Sequence, residues 1–137
     1  MSVSVRPRTR SHHRVATVMS WPISTVDHDA SVEEVAEALS ADELGAVLVL
    51  SDGALVGILS ERDVVRHVAA GANLAHLKAG EAMTGDVITA QVDDTVLDAA
   101  RVMSEAVVRH LPVLDGSSIA GVVSVRDLLD VLVDELS

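Results

Sequence analysis

The chain has 137 residues, of which 49% are apolar, but it contains no cysteine and a single aromatic residue, Trp21. Its length suits one compact core, which must be aliphatic, and the missing thiols exclude disulfides, thiol nucleophiles and thiolate metal sites. The net charge is −11, and because residues 1–14 hold Arg6, Arg8, Arg10 and Arg14 and no acid, the chain beyond residue 14 carries −15; so acidic a body repels phosphate backbones and is not expected to bind nucleic acid.

Residues 1–14 read as a disordered basic tail, since they lack the apolar residues needed to offset ordering entropy. No apolar segment or small-residue cleavage site follows them, so they do not read as a secretory signal. Elsewhere no apolar run approaches the ~18 residues of a bilayer span. A soluble, cytoplasmic protein with no membrane partner is expected.

After the entry Val18-Met19-Ser20, the β-prone segment Ile23 to Val26 predicts a first strand. Ser31 then reads as the N-cap of an amphipathic helix, with Glu33 and Glu34 in its first turn and Val32, Ala36 and Leu39 on its apolar face. Ala46 to Leu50 and Ala54 to Leu59 flank Ser51-Asp52-Gly53, a hairpin signal in which glycine accepts a positive φ. A helix from Glu61 to about Ala69 and a linker from Gly71 to Gly80 follow.

The same order then repeats. An ungapped offset of 64 residues aligns Val18-Met19-Ser20 with Ala82-Met83-Thr84, and Gly57-Ile58-Leu59-Ser60 with Gly121-Val122-Val123-Ser124. The second copy reads as a strand Val87 to Ala90 and a helix capped by Thr95 with Val96, Ala99, Ala100 and Met103 on its apolar face. Its strands Leu111 to Leu114 and Ile119 to Val123 flank Asp115-Gly116-Ser117, and a helix runs from Val125 to about Leu136. Each copy is a β-α-β-β-α unit, at 15–75 and 76–137, whose three-stranded sheet buries too little alone. The expected fold is therefore α+β, two tandem units packed sheet to sheet with pseudo-twofold symmetry, leaving no room for a catalytic domain.

Both copies end their hairpin with Gly-x-x-Ser-x-x-Asp: Gly57 to Asp63 and Gly121 to Asp127. One reading is a helix start, with Ser60 or Ser124 capping the first turn and Asp63 or Asp127 favoured by the helix dipole. The other is an anion site, in which first-turn N–H groups and the hydroxyl face a phosphate, the aspartate accepts from a ribose diol, and Arg62 or Arg126 offsets phosphate charge. The six histidines, His12, His13, His28, His67, His76 and His110, show no metal-ligand spacing, so no metal site is expected. Neither serine has an evident activating base, so no enzymatic activity is expected.

From about residue 15 to 137 the sequence resembles a tandem pair of cystathionine-β-synthase (CBS) domains, a Bateman module. The resemblance rests on the paired unit, the Met-containing entries, Arg109-His110-Leu111-Pro112-Val113 and both Gly-x-x-Ser-x-x-Asp endings. It implies a stand-alone regulatory module that senses AMP, ADP or ATP in clefts between the two units and forms a homodimer. No cofactor is required, and Mg2+ enters only with ATP. The regulated protein is unknown.

By match to the family motif, one cleft is expected to use Asp127 for the ribose hydroxyls, Ser124, Arg109, His110 and Arg126 for phosphate, and Ile23, Ser24 and Thr25 for the base edge, with Pro112 also lining it. The other is expected to use Ser60, Arg62 and Asp63 with Val87, Ile88 and Thr89. Gly45-Ala46 stands there in place of Arg109-His110, so this second site is expected to be weaker. Two alternatives stay open: an S-adenosylmethionine-type adenosyl ligand, and a structural or partner-binding CBS dimer without nucleotide affinity.

Overall fold

The structure, a computed structural model, describes residues 13–21, 23–42 and 45–136. Most of the expected basic tail lies outside the described residues. Its end does not: Arg14 bridges to Thr95, and its Nη1 donates to the Asp93 carbonyl at 2.7 Å.

The chain forms two compact units. One is Pro22–Val87; the other combines the segment ending at Trp21 with the chain from Ile88 onward. The packing therefore divides the chain differently from the repeat, which breaks between residues 75 and 76. The reason is that each unit takes in the segment that opens the other copy. Val15, in a single 3-10 turn Val15–Thr17, is fully buried in the core of the later copy. Ala79 and Ala82, in a one-turn helix α3 (Ala79–Ala82), are buried in the core of the earlier copy.

In the unit Pro22–Val87, strand β1 (Thr25–Asp27) pairs in parallel with β2 (Ala46–Ser51), which pairs antiparallel with β3 (Ala54–Ser60). Helices α1 (Val32–Ala41) and α2 (Glu61–Ala69) complete it. Ser31 caps α1 by accepting from the Glu34 N–H, and Val32, Val35 and Leu39 are buried. The hairpin turns on Asp52 and Gly53, both at positive φ (51° and 79°), the type I′ pattern that matches strand twist.

The other unit repeats this with β4 (Ala90–Gln91), α4 (Val96–Ala106), β5 (His110–Asp115), β6 (Ser118–Ser124) and α5 (Val125–Leu136), in the order β4-β5-β6. Val96, Ala99, Met103, Leu111, Val113, Val123, Leu128 and Val131 form its core. Both first strands are shorter than expected and begin later. Ile23 and Ser24 lie before β1, although the Ser24 carbonyl already accepts from Leu48 N–H. Val87, Ile88 and Thr89 lie before β4.

The motif glycines have a packing cause. In the unit holding Val15, Ser20 exchanges backbone bonds with Val122 (2.8 and 3.1 Å), which lays Met19 across Gly121. Thr84 does the same with Ile58 (2.9 and 3.1 Å), laying Met83 across Gly57. A Cβ on Gly121 would stand 2.8 Å from both the Met19 sulfur and the Ser20 carbonyl oxygen. Gly121→Ala is therefore expected to cost on the order of 1–3 kcal/mol. Gly57→Ala should cost less, since only the flexible Met83 side chain obstructs it, and thermal denaturation of the two variants checks the ranking.

Helix α4 starts with a reciprocal box: Asp98 N–H donates to Thr95 Oγ1 (3.0 Å) and Thr95 N–H to Asp98 Oδ2 (3.3 Å). The Thr95 side chain first, then its backbone N–H, hold the Asp98 carboxyl below the ordinary carboxylate range. Its folded value being depressed, this contribution is present above the ordinary aspartate value and is lost as pH falls through the lowered one. An NMR titration should find the Asp98 midpoint below that of an ordinary aspartate, and Thr95→Val should raise it.

Candidate functional site

In the unit from Ile88 onward, β6 ends at Ser124 and α5 begins at Val125, leaving the first-turn N–H groups without helical acceptors. Ser124 and Asp127 satisfy two of them reciprocally. Ser124 N–H donates to Asp127 Oδ2 at 2.8 Å, and Asp127 N–H donates to Ser124 Oγ at 3.1 Å. A third, Val125 N–H, donates to the Arg109 carbonyl at 2.8 Å. His110 stands opposite Ser124 in the β5–β6 ladder. Arg109, His110, Ser124 and Asp127 are thus gathered at one end of one sheet by backbone contacts. Because β4 runs parallel to β5, Ile88 and Thr89 approach that same end.

This end of the sheet is suited to an anionic ligand carrying a diol. A twelve-residue helix points its positive end at it. Arg109 and Arg126 are exposed and take no ion pair among the described residues. The Ser124 hydroxyl accepts from Asp127 N–H, and its own proton has no acceptor among the described residues. Among the described residues Asp127 receives only the Ser124 N–H, so Oδ1 keeps its lone pairs for another donor.

The unit Pro22–Val87 builds the same junction with different chemistry. Ser60 N–H donates to Asp63 Oδ2 (2.9 Å), Asp63 N–H donates to Ser60 Oγ (3.2 Å), and Glu61 N–H donates to the Gly45 carbonyl (3.0 Å). Ala46, not a histidine, stands opposite Ser60. Here the Ser60 hydroxyl also donates to Asp63 Oδ2 (2.9 Å), and Arg66 Nη1 lies 3.7 Å from Asp63 Oδ1. Arg62 is exposed on the first turn of α2.

Each expected residue set draws on both units. Ile23, Ser24 and Thr25 share a unit with Ser60, Arg62, Asp63 and Val87, while Ile88 and Thr89 share one with Arg109, His110, Ser124, Arg126 and Asp127. Pro112 departs from its expected lining role, because it is fully buried on the central strand β5. A proline fits there because the parallel ladder to β4 begins only at Val113, so no neighbour requires its missing N–H. The Gly45 and Arg109 carbonyls and the Arg66 guanidinium have no signal in the motif, since a carbonyl is the same in every residue and Arg66 lies beyond the pattern.

A separate hollow of about 300 Å³ lies at the hairpin end of the unit Pro22–Val87, lined in part by His28, Ser51, Val56, Lys78 and Met83. It is at the opposite end of the sheet from Ser60. Its two basic groups already face Asp29, His28 Nδ1 at 3.4 Å and Lys78 Nζ at 3.7 Å. Asp27, His28 and Asp29 bring three ligand-type atoms within 4.8 Å in this turn, where Lys78 supplies the countercharge.

Known proteins resemble the chain over most of its length. The chain is 25% identical over 114 residues to the CBS domain-containing protein YhcV of Bacillus subtilis, covering 83% of this chain and 81% of that one. It spans only 33% of a longer Thermofilum pendens protein to which it is 35% identical over 102 residues. The CBS domain protein PAE2072 of Pyrobaculum aerophilum, solved in complex with AMP, superimposes with a TM-score of 0.81 at 27% identity, over 90% of this chain and 98% of that one. The CBS domain pair of protein MJ0100, solved with 5-methylthioadenosine and S-adenosyl-L-methionine, gives a TM-score of 0.81 at 27% identity, over 89% and 97%. The CBS domain profile matches residues 15–70 and 79–134. With both halves of its repeat matched, the chain belongs to the CBS domain family as a tandem pair.

Proposed function

We propose that the chain is a regulatory, non-catalytic module that binds an adenine nucleotide, AMP, ADP or ATP, at the Ser124–Asp127 junction, and more weakly at the Ser60–Asp63 junction. The observation that carries this reading is an Asp127 carboxylate oxygen with no donor among the described residues, at a helix N-terminus whose junction also carries Arg109 and Arg126, which take no ion pair among those residues. In this reading Asp127 accepts from the ribose hydroxyls, and Ser124, Arg109, His110 and Arg126 meet the phosphate. Ile23, Ser24 and Thr25 contact the base edge. The weaker set is Ser60, Arg62 and Asp63 with Val87, Ile88 and Thr89. Two similarly folded pairs hold AMP or adenosyl compounds, which supports the adenosine portion of the ligand. ATP would bring Mg2+ with it.

Among the described residues no helix is long and apolar enough to cross a membrane. We read the module as cytoplasmic, transmitting its occupancy to another protein.

Charge-assisted hydrogen bonds are worth ~1.5–3 kcal/mol each, or roughly ten- to over a hundredfold in affinity. Calorimetric titration with AMP should give a dissociation constant in the micromolar range or weaker, because no Phe or Tyr stacks on the base. Asp127→Ala should weaken binding by about tenfold or more, and Asp63→Ala by less than about threefold. Tighter binding of S-adenosylmethionine than of AMP would favour the adenosyl alternative. Absence of binding up to millimolar nucleotide would leave a structural or partner-binding scaffold.

We also read the module as a homodimer: Val65 and Val68 on α2, and Leu129 on α5, are 65%, 55% and 52% exposed. Exposed aliphatics at helical spacing suit a self-complementary contact. Light scattering should report a dimer, and Val65→Glu with Leu129→Glu should report a monomer of unchanged fold.

A further inference from the structure

The two junctions differ in a way that neither motif nor fold requires. Asp63 is approached by three donors: Ser60 N–H and Ser60 O–H, each 2.9 Å from Oδ2, and Arg66 Nη1, 3.7 Å from Oδ1. Among the described residues Asp127 receives one, the Ser124 N–H. The difference lies in the helix that follows. Arg66 stands three residues after Asp63, on the same face of α2, whereas the repeat places Asp130 at the matching position of α5. An arginine there occupies the outer carboxylate oxygen, and an aspartate repels its neighbour and leaves that oxygen to a ligand.

We propose that Arg66 is a specificity-determining, positioning residue that acts through Asp63. By pairing with Oδ1 it competes with a sugar diol for the carboxylate, so the junction of the unit Pro22–Val87 is self-occupied, whereas that of the other unit is open. This inference rests on the nucleotide reading above and adds to it a device that separates the affinities of the two sites. It implies an unusual sign. Removing a positive charge from a junction that takes an anionic ligand should strengthen, rather than weaken, recognition of the sugar.

The size of the effect is bounded. The Arg66 side chain is 70% exposed, and ion pairs of that kind contribute little because solvent competes with them. The expected gain is about two- to fivefold, which is ~0.4–1 kcal/mol at 1.4 kcal/mol per tenfold.

The decisive probe is adenosine, which carries the diol and base but no phosphate, so long-range attraction of the guanidinium for phosphate does not enter. Amide chemical shifts of Ser60 and Asp63 are followed by NMR in an Asp127→Ala background, which silences the stronger junction. Arg66→Ala should tighten adenosine binding at Ser60 and Asp63 about two- to fivefold, while Arg66→Lys, which keeps a cation within reach, should stay near the parent value. A merely structural arginine would lower the melting temperature without a gain in affinity. Unchanged or weaker binding in Arg66→Ala would overturn the assignment of Arg66 while leaving the nucleotide reading intact. If adenosine and AMP move neither the Ser60–Asp63 nor the Ser124–Asp127 amides of the unaltered chain, the nucleotide reading fails, and the role of Arg66 with it.

Discussion

Where β3 and β6 leave their sheets to become α2 and α5, the backbone must change from ladder to helix and leaves a set of N–H donors with no acceptor. Each unit meets this with the same three contacts. Serine and aspartate cap one another, and the carbonyl just before the central strand takes the N–H of the first helical residue. That last contact ties the start of one strand to the end of its neighbour and to the helix. It also fixes what stands nearby, which is Gly45 and Ala46 in one unit and Arg109 and His110 in the other. The cap that stabilises the helix is therefore the scaffold on which any ligand chemistry must be built.

The duplication separates what the fold needs from what a ligand needs. Both copies keep the serine, the aspartate, the glycine beneath a crossing methionine, and the buried aliphatic positions. They differ at Arg109-His110 against Gly45-Ala46 and at Asp130 against Arg66. Both differences act in one direction. Among the described residues they leave the Asp127 carboxylate with one donor, the Ser124 N–H, and the Asp63 carboxylate satisfied by its own helix and cap. One junction thus resembles a completed cap, while the other has unused hydrogen-bonding capacity.

Most of the architecture was legible in the sequence because it is written in local chemistry. Ser31 and Thr95 as N-caps, the Asp52-Gly53 turn and the starts of α2 and α5 at Glu61 and Val125 follow from capping and turn preferences acting over three or four residues. What escaped depends on contacts between distant segments. The first strands are edge strands set by pairing with Leu48 and Val113, so their short extents at Thr25–Asp27 and Ala90–Gln91 could not be read from β-propensity. Val15 reads as the first residue of the earlier copy and is a core residue of the later one, held by a backbone bond to the Asp94 carbonyl. The motif glycines Gly57 and Gly121 recur in the sequence without an evident cause, and that cause is a methionine arriving from elsewhere in the chain. Of the candidate site, the serine–aspartate pairs and their arginine and histidine neighbours were legible. The burial of Pro112 and the Arg66 contact were not, because both depend on three-dimensional neighbours that no spacing encodes.

The central claim is that the Asp127 carboxylate, as the outward half of a helix cap, is the group that receives a nucleotide's sugar. A crystal structure of the chain grown with excess AMP tests it most directly. The account requires the ribose hydroxyls on the Asp127 carboxylate, with phosphate toward Ser124 and Arg109, and lower or no occupancy at Asp63. Full occupancy at Ser60–Asp63 with an empty Asp127 junction, or a nucleotide bound away from both, would contradict it.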